Sequence, residues 1–426
     1  MQFLEPIISA QKHVVPRGIV SVCSAHPFVL EAALRYRRVT GRDCPVLIES
    51  TCNQVNQFGG YTGWTPASFV QYVGQIADAA GFPRQDLILG GDHLGPLVWA
   101  NETADCALDK AKALVRAYAL AGYTKIHLDC SMPCAGEPPL SMDAISRRAA
   151  ELAQAAEAAF SSPVERNALV YVIGTEVPAA GGAKAGEGQL MISDPADAAA
   201  TIELTQRAFS ALGLDAAWER VIALVVQPGV EFGDASVHAY HRPAAAGLAR
   251  FIKTQPRLVY EAHSTDYQTR SALRAMVEDG FAILKVGPAL TFAFREAVFA
   301  LAEMEEALCA TPSRIREALE AAMLADPRHW EKHYSGDERR QKVARQFSFS
   351  DRVRYYWNTP QVRLAFEQLM TNLGETALPL TLLSQYLPEQ YEKVRAGEVK
   401  NHPRELLLAR VMDVLDDYAF ACGDRM

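Results

Sequence analysis

The chain has 426 residues, 49% hydrophobic and 22% charged, a composition that supports a large globular core. A net charge of −8 and a pI near 5.8 argue against a nucleic-acid surface or an anionic membrane partner. No apolar run reaches the roughly 18 residues of a membrane-spanning helix. The start, Met1 to Pro6, lacks a basic segment followed by an apolar one, so no secretory leader is expected. Eight cysteines are scattered, several in apolar contexts such as Cys23, Cys130 and Cys309, which is the usage of reduced cytoplasmic thiols. Cys130 and Cys134 have no second Cys or His pair at zinc-finger spacing and read as core and loop thiols.

In chain order, short apolar runs alternate with helix-forming stretches. Ile19–Ser24 is a first strand, and Pro27–Arg38 follows with helical spacing. Val46–Ser50 is a second strand. Leu87–Asp92 is a third, ending in Gly90-Gly91-Asp92-His93-Leu94-Gly95-Pro96. The helical Ala104–Ala121, stopped by Gly122, precedes a fourth strand at Lys125–Cys130. Leu169–Glu176, Val221–Gln227, Arg257–His263 and Phe281–Gly287 are the fifth to eighth. Each unit spans about 25–50 residues, enough for a strand, a helix and some enlarged loops. Eight strands in strict alternation predict an α/β fold, a (β/α)8 TIM barrel over residues 1–310. No GxGxxG follows the first strand, as a dinucleotide-binding sheet would require. Residues 311–426 read as an α-rich extension packed on the barrel, with no Gly/Ser linker to set it free.

In such a barrel the active site lies where the C-terminal ends of the strands meet. The polar residues there are Glu49, Asp92, His93, His127, Asp129, Glu176, Gln227, Glu261, His263 and Lys285. His127 with Asp129, and Glu261 with His263, are two apart, so each pair shares one side of its strand. An isolated Asp-His at a strand end is usually a satisfied core pair. Six of the eight ends bear His, Asp, Glu or Gln, and that repetition favours chemistry instead. Two histidines from different strands, with carboxylates, suit a divalent metal, Zn²⁺ first and Mn²⁺ or Ni²⁺ as alternatives. Lys285 offers Schiff-base chemistry, but the acids outnumber it, and an ion pair with Glu261 or another rim acid is the expected state. The loop from Asn53 to Gly63 carries amides, Asn53 and Gln57 among them, of a kind that read sugar hydroxyls. Ser264-Thr265-Asp266 and Gly287-Pro288 fall where barrels often bind phosphate, and Arg352 or Arg354 can add charge from the extension.

These segments are similar to a known family. The Gly90–Pro96 stretch, Ile126–Ser131, Gly174–Pro178, Val226–Phe232, Glu261–Tyr267 and Leu284–Thr291 resemble the Z-subunit (GatZ/KbaZ) family of tagatose-bisphosphate aldolases. Ser350–Trp357 and Ser384–Pro388 extend the likeness over essentially the whole chain. The resemblance implies a barrel distantly related to class II aldolases, working in bacterial galactitol or tagatose catabolism. Members are described either as non-catalytic partners of a class II aldolase subunit or as ketose and ketose-phosphate 4-epimerases. A kinase label has also been attached to the family, but this chain has neither a P-loop nor kinase motifs.

Likeness to class II aldolases implies Asp92 as proton-transfer group with Asp129 and Glu176 as further catalytic acids. His93 and His263 become metal ligands, with Gln227 standing where the aldolases carry a third histidine. Glu49, Asn53, Gln57, His127, Glu261, Ser264 and Lys285 are left to bind substrate. The implied reaction is 4-epimerisation of tagatose 6-phosphate or a related ketose by bond cleavage and re-addition. Homo-oligomers are compatible with this reading, and no nucleic-acid or membrane partner is expected.

Overall fold

Side chains alternate in direction along each apolar run, so each strand faces helices on one side and a common interior on the other and is buried on both. The computed structural model describes residues 4–39, 45–175, 190–375 and 377–423. Its strands are β1 (Ile19–Cys23), β2 (Val46–Thr51), β3 (Leu87–Leu94), β4 (Lys125–Leu128), β5 (Val170–Ile173), β6 (Val221–Val225), β7 (Glu231–Phe232), β8 (Val237–His238), β9 (Val259–Ala262) and β10 (Phe281–Val286). Eight of them close a parallel barrel in the order β1-β10-β9-β6-β5-β4-β3-β2. The (β/α)8 expectation holds. The pair β7 and β8 forms a small antiparallel hairpin that the sequence reading did not anticipate.

The barrel interior is layered. Its lower part is apolar, filled by Ile19, Leu47, Ile88, Val170, Val259 and Ile283. Leu4 and the N-terminal helix Glu5–Lys12 close this end, with Ile7 and Ile8 packed against the layer. Two residues further along the strands the same inward rows carry Glu49, Gly90, Glu261 and Lys285, with Lys125 paired beside Gly90. Two residues beyond those come Asp92, His127 and His263. Apolar packing at the base therefore supports a polar floor, and the floor supports the strand-end groups.

Beyond residue 310 the chain is helical, and its last helix joins the barrel wall. Pro403–Ala421 packs against the helices Pro27–Val39, Arg270–Glu278 and Pro288–Leu308 and touches β1. The amide of Gly18 donates to the Cys422 carbonyl (3.0 Å), and the Tyr418 hydroxyl donates to the Thr265 carbonyl (2.9 Å). A second attachment runs through Ser348–Tyr355. The Tyr267 hydroxyl donates to the Phe349 carbonyl (2.5 Å), and the two rings lie 4.4 Å apart. The side chain of Asp351 accepts from Arg295 Nε (2.7 Å) and from the Thr291 hydroxyl (2.7 Å), both on the helix after β10.

Asp351 and Arg295 are both buried, so removing one charge strands the other in a low-dielectric setting. Asp351 has φ +45°, which asparagine also tolerates. Asp351→Asn is expected to destabilise by about 3–5 kcal/mol, read as a lower denaturant midpoint. A loss under about 1 kcal/mol would mean that this pair does not fasten the C-terminal segment.

Candidate metal and sugar site

The site begins at an irregularity in β3. Pairing between β3 and β4 shifts register between Gly91 and Leu94, and His93 within that shift has φ +50°. A non-glycine residue held there costs on the order of 1–3 kcal/mol, and such strain persists where neighbours over-determine it. They do so here. His93 Nδ1 lies 2.8 Å from Asp129 Oδ2, while its backbone N–H points at His127 Nδ1 (3.2 Å). Two glycines make room for this arrangement. A Cβ on Gly90 would lie 2.7 Å from Glu49 Cγ, and one on Gly95 only 1.6 Å from the Asp129 carbonyl oxygen.

Gly90 matters because Glu49 reaches across it. Glu49 lies beside Gly90 in the strand register, and Gly90 lies beside Lys125. Over the vacant position Glu49 Oε1 meets Lys125 Nζ at 2.8 Å, and Lys125 also meets Glu261 Oε2 at 2.6 Å. Lys285 closes the ring, at 3.1 Å from Glu49 Oε2, 3.5 Å from Glu261 Oε1 and 2.5 Å from Asp92 Oδ1. Burial alone would lower both lysines, but the carboxylates around them raise them, Glu261 foremost for Lys125 and Asp92 for Lys285. Both ammonium groups stay charged. This leaves Lys285 in the ion pair expected of it, shared among three acids, rather than as a free amine.

Above this floor stand three imidazoles. Ring centroids are 5.2 Å apart for His93 and His127, 4.9 Å for His93 and His263, and 5.1 Å for His127 and His263. Burial would raise Asp92, but the charges of His93 and Lys285 and the hydrogen bond from His127 hold it well below the usual carboxylate range. His93 is raised: burial would lower it, but Asp92 and its bond to Asp129 prevail. Burial, aided by the charge of Lys285, lowers His263 to about 3 and keeps it neutral. The neutral tautomer of His127 that donates from Nδ1 to the ionised Asp92 (2.9 Å) gives up the bond from the His93 N–H and leaves Nε2 as an acceptor, which is buried without a partner among the described residues.

Such an acceptor calls for a cation or a proton. Ligand atoms of Asp92, His127, Glu261 and His263 all lie within 4.8 Å of one another. The donor set of imidazole nitrogens and carboxylate oxygens fits a divalent metal ion. A carboxylate on Nδ1 of both His93 and His127 is the outer-shell support that metal-binding imidazoles need.

Other expected residues fall elsewhere. Gln227 turns its amide oxygen onto the backbone N–H groups of Gly229 (2.8 Å) and Val230 (3.1 Å), and the four-residue group contains His127, expected to bind substrate, but not His93, expected as a ligand. Gln57 donates to the Lys110 carbonyl (3.0 Å) and does not line the cavity. Asn53 and Ser264 do line it, Ser264 with φ +53°. Glu49 and Glu261 belong to the buried floor. Glu176 lies outside the described residues. Lys125 was not singled out from the sequence, although it shares strand parity with His127 and Asp129.

Asp92 and His263 of the metal-type group line a cavity of about 370 Å³, with His127 and Glu261 buried behind them. Asp92, His93, His263 and Lys285 lie at one part of its wall; Tyr61, Trp64 and Tyr72 come from the β2 side. Arg354, Tyr355, Trp357 and Asn358 come from the C-terminal third. The wall is thus finished by chain that follows the barrel. No described helix is long and apolar enough to cross a membrane.

With this geometry in view, the family model for D-tagatose-1,6-bisphosphate aldolase subunit GatZ/KbaZ-like proteins matches residues 4–423. The chain belongs to that family. A structure from Sinorhizobium meliloti 1021, described as a probable tagatose 6 phosphate kinase, is 48% identical to this GatZ/KbaZ-like chain. The match covers 95% of this chain and 100% of that one with a TM-score of 0.88. A fructose-bisphosphate aldolase from Campylobacter jejuni is a remote likeness, at 15% identity and a TM-score of 0.46, covering 87% of this chain and 91% of that one.

His26 lines the cavity 4.3 Å from the Phe294 ring, and burial lowers its pKa to about 3. Between pH 6.5 and 3 the unfolded chain therefore binds a proton that the folded protein does not. Stability falls as pH drops through 6.5, by at most about 1.4 kcal/mol per pH unit from this group. His26→Phe removes that part of the loss. Denaturant midpoints at pH 7.5 and 5.0 should diverge less in the variant, and equal divergence would contradict the assignment.

Proposed function

We propose that this GatZ/KbaZ-like protein is a metal-dependent 4-epimerase of tagatose 6-phosphate or a related ketose, acting in the cytoplasm in tagatose catabolism. One observation carries the reading. Three mutually adjacent imidazoles stand together at the strand ends, His93 and His263 lining a cavity beside an ionised Asp92 and His127 buried behind them with an unpartnered Nε2. His127 and His263, with Asp92 and Glu261, would hold the ion, and His93 stands beside them; Zn²⁺ suits this nitrogen and oxygen set, and Mn²⁺ or Ni²⁺ are the alternatives. When bound, the metal supplies Lewis acidity toward the ketose carbonyl and its neighbouring hydroxyl.

The protein's own groups then manage the proton. Asp92 Oδ1 is engaged by Lys285 and His127, whereas Oδ2 has only the 3.8 Å approach of His93 Nε2. Oδ2 is the oxygen placed to accept the C4 hydroxyl proton. As that proton leaves, C4 becomes an aldehyde, the C3–C4 bond breaks, and its electron pair passes onto the C2 carbonyl. The aldehyde fragment turns, the bond re-forms on its other face, and Asp92 returns the proton. Asp129 acts as a positioning residue by fixing the His93 ring. No net oxidation occurs, so no redox cofactor is needed.

A second reading is favoured by the family description itself, which names a subunit: the chain supports a class II aldolase partner. A phosphoryl-transfer reading lacks a P-loop in the sequence.

Two variants separate these readings. Asp92→Asn keeps the shape but cannot carry the proton, so turnover should fall on the order of 10²–10⁴-fold, followed by NMR of tagatose 6-phosphate at C4. Active wild-type protein with an equally active Asp92→Asn variant would refute the role of Asp92. His263→Ala should lower bound metal per chain, measured by elemental analysis, together with activity. Absence of C4 inversion with Zn²⁺, Mn²⁺ or Ni²⁺, alongside rescue of a co-expressed class II aldolase by Asp92→Asn, would establish the supporting role instead.

A further inference from the structure

The helix Pro288–Leu308 begins at the cavity wall, where Gly287, Pro288 and Thr291 line the space. The first N–H groups of a helix have no partner within it, and after the last strand of a barrel they commonly cradle a phosphate. Here every backbone donor of the first turn is already engaged. The N–H groups of Gly287 (3.0 Å) and Ala289 (2.8 Å) donate to Asp266 Oδ1. Pro288 has no N–H, and those of Leu290 (3.1 Å) and Thr291 (3.5 Å) turn back to the Gly287 carbonyl. The Thr291 hydroxyl goes to Asp351 (2.7 Å).

Asp266 reaches this position from a strained turn. It lies between Ser264 (φ +53°) and Tyr267 (φ +63°), both in the left-handed region that residues with a side chain rarely adopt. Such strain persists where neighbours fix it. The Thr265 hydroxyl donates to the Lys285 carbonyl (2.6 Å), and the Tyr418 hydroxyl donates to the Thr265 carbonyl (2.9 Å). The Tyr267 hydroxyl donates to the Phe349 carbonyl (2.5 Å). A barrel strand, the last helix and the C-terminal segment thus hold one turn that delivers one carboxylate. Asp266 is buried and lines the cavity. Burial raises it to about 6 against the pull of the two N–H groups, so it is ionised at pH 7.5. An anion arriving there meets a like charge and no spare donor of the helix.

We propose that Asp266 is a specificity-determining residue, a built-in carboxylate that closes this cradle, so that the cavity rejects ketoses carrying a phosphate at the carbonyl end. The carbonyl end is the one concerned, because His263 of the metal-type group directly precedes the turn that holds Asp266. The inference rests on the epimerase reading for the orientation of the sugar, but not for the closure of the cradle.

The test is calorimetric titration of the purified full chain at pH 7.5 with tagatose, tagatose 1-phosphate and inorganic phosphate, with no turnover required. Wild type is expected to bind the 1-phosphate at least about tenfold more weakly than tagatose, because like charges brought together are costly. Asp266→Asn keeps an acceptor for the two N–H groups and removes the charge, so the two sugars should bind within about threefold of each other. Asp266→Ala empties the cradle and should gain a phosphate site at least about tenfold tighter than any in wild type. Thermal melting checks that each variant is folded, and Asp266→Ser replaces Asp266→Ala if that variant is not. A wild-type preference for the 1-phosphate would overturn the proposal. So would an undiminished penalty in Asp266→Asn, or no gain of phosphate binding in the folded variant with the emptied cradle. Should neither sugar bind, the epimerase reading fails, and the gain or absence of phosphate binding alone decides whether Asp266 closes the cradle.

Discussion

The ion-pair ring inside the barrel is the interaction on which the site depends. Glu49, Lys125, Glu261 and Lys285 are all buried, and each carboxylate touches both lysines. Desolvating four charges costs several kcal/mol each, and their mutual attraction offsets this only where geometry is good and every charge is opposed. Alternation around the ring meets that condition. The ring adds little net stability over an apolar layer; its consequence is positional. It brings the ammonium of Lys285 to Asp92 and the carboxylate of Glu261 to within 3.1 Å of His263 Nε2. Both strand-end groups are therefore oriented from below. Gly90 is part of the same device, because any side chain there would push Glu49 away from Lys125.

A second constraint acts from above. The barrel alone does not enclose the cavity, since Arg354, Tyr355, Trp357 and Asn358 complete its wall. Their segment is anchored at Asp351 to the helix that follows β10, and Phe349 packs on Tyr267 from the loop after β9. The last helix, Pro403–Ala421, runs alongside β1 and its neighbours. Packing in the C-terminal third thus bears directly on the position of Arg354. Loss of that packing would open the cavity without touching a strand-end residue.

How far the sequence revealed this follows from what each residue does locally. The eight barrel strands were legible because runs of four to eight apolar residues ending in polar ones have few other readings. Asp92, His127, Glu261 and His263 were legible only within a longer list of polar strand ends, in which His93, His263 and Gln227 were the expected ligands and His127 and Glu261 were given to substrate. Lys125 was not, since a lysine opening a strand resembles an ordinary solvent-facing residue until a closed barrel turns it inward. The pairing of His127 with the metal-type group depended on the shifted register at His93, which no spacing rule encodes. Gln227 looked like a ligand by position, but the turn Pro228-Gly229-Val230 leaves two N–H groups that its own amide satisfies. Arg354 was visible only as a charge in an aromatic run; its place on the cavity wall comes from contacts distant in sequence, such as that between Asp351 and Thr291, 60 residues apart.

Lysine and metal might be thought rivals for the same carboxylates, yet the chemistry of the two cations divides the work. Four carboxylates, Glu49, Asp92, Asp129 and Glu261, face two ammonium groups in the described site. The two lysines and the raised imidazole of His93 oppose part of that charge, and negative charge is left over for a further cation. An ammonium group can only donate, so it serves carboxylate oxygens and does nothing for an imidazole that is already protonated on its other nitrogen. The lone pair of His127 Nε2 is an acceptor that no described side-chain donor serves. A divalent ion would satisfy that acceptor and the residual negative charge together and would leave Lys285 on Asp92. The ring of ion pairs is in this sense compatible with a metal, because it leaves one kind of unmet demand at the strand ends and meets the rest.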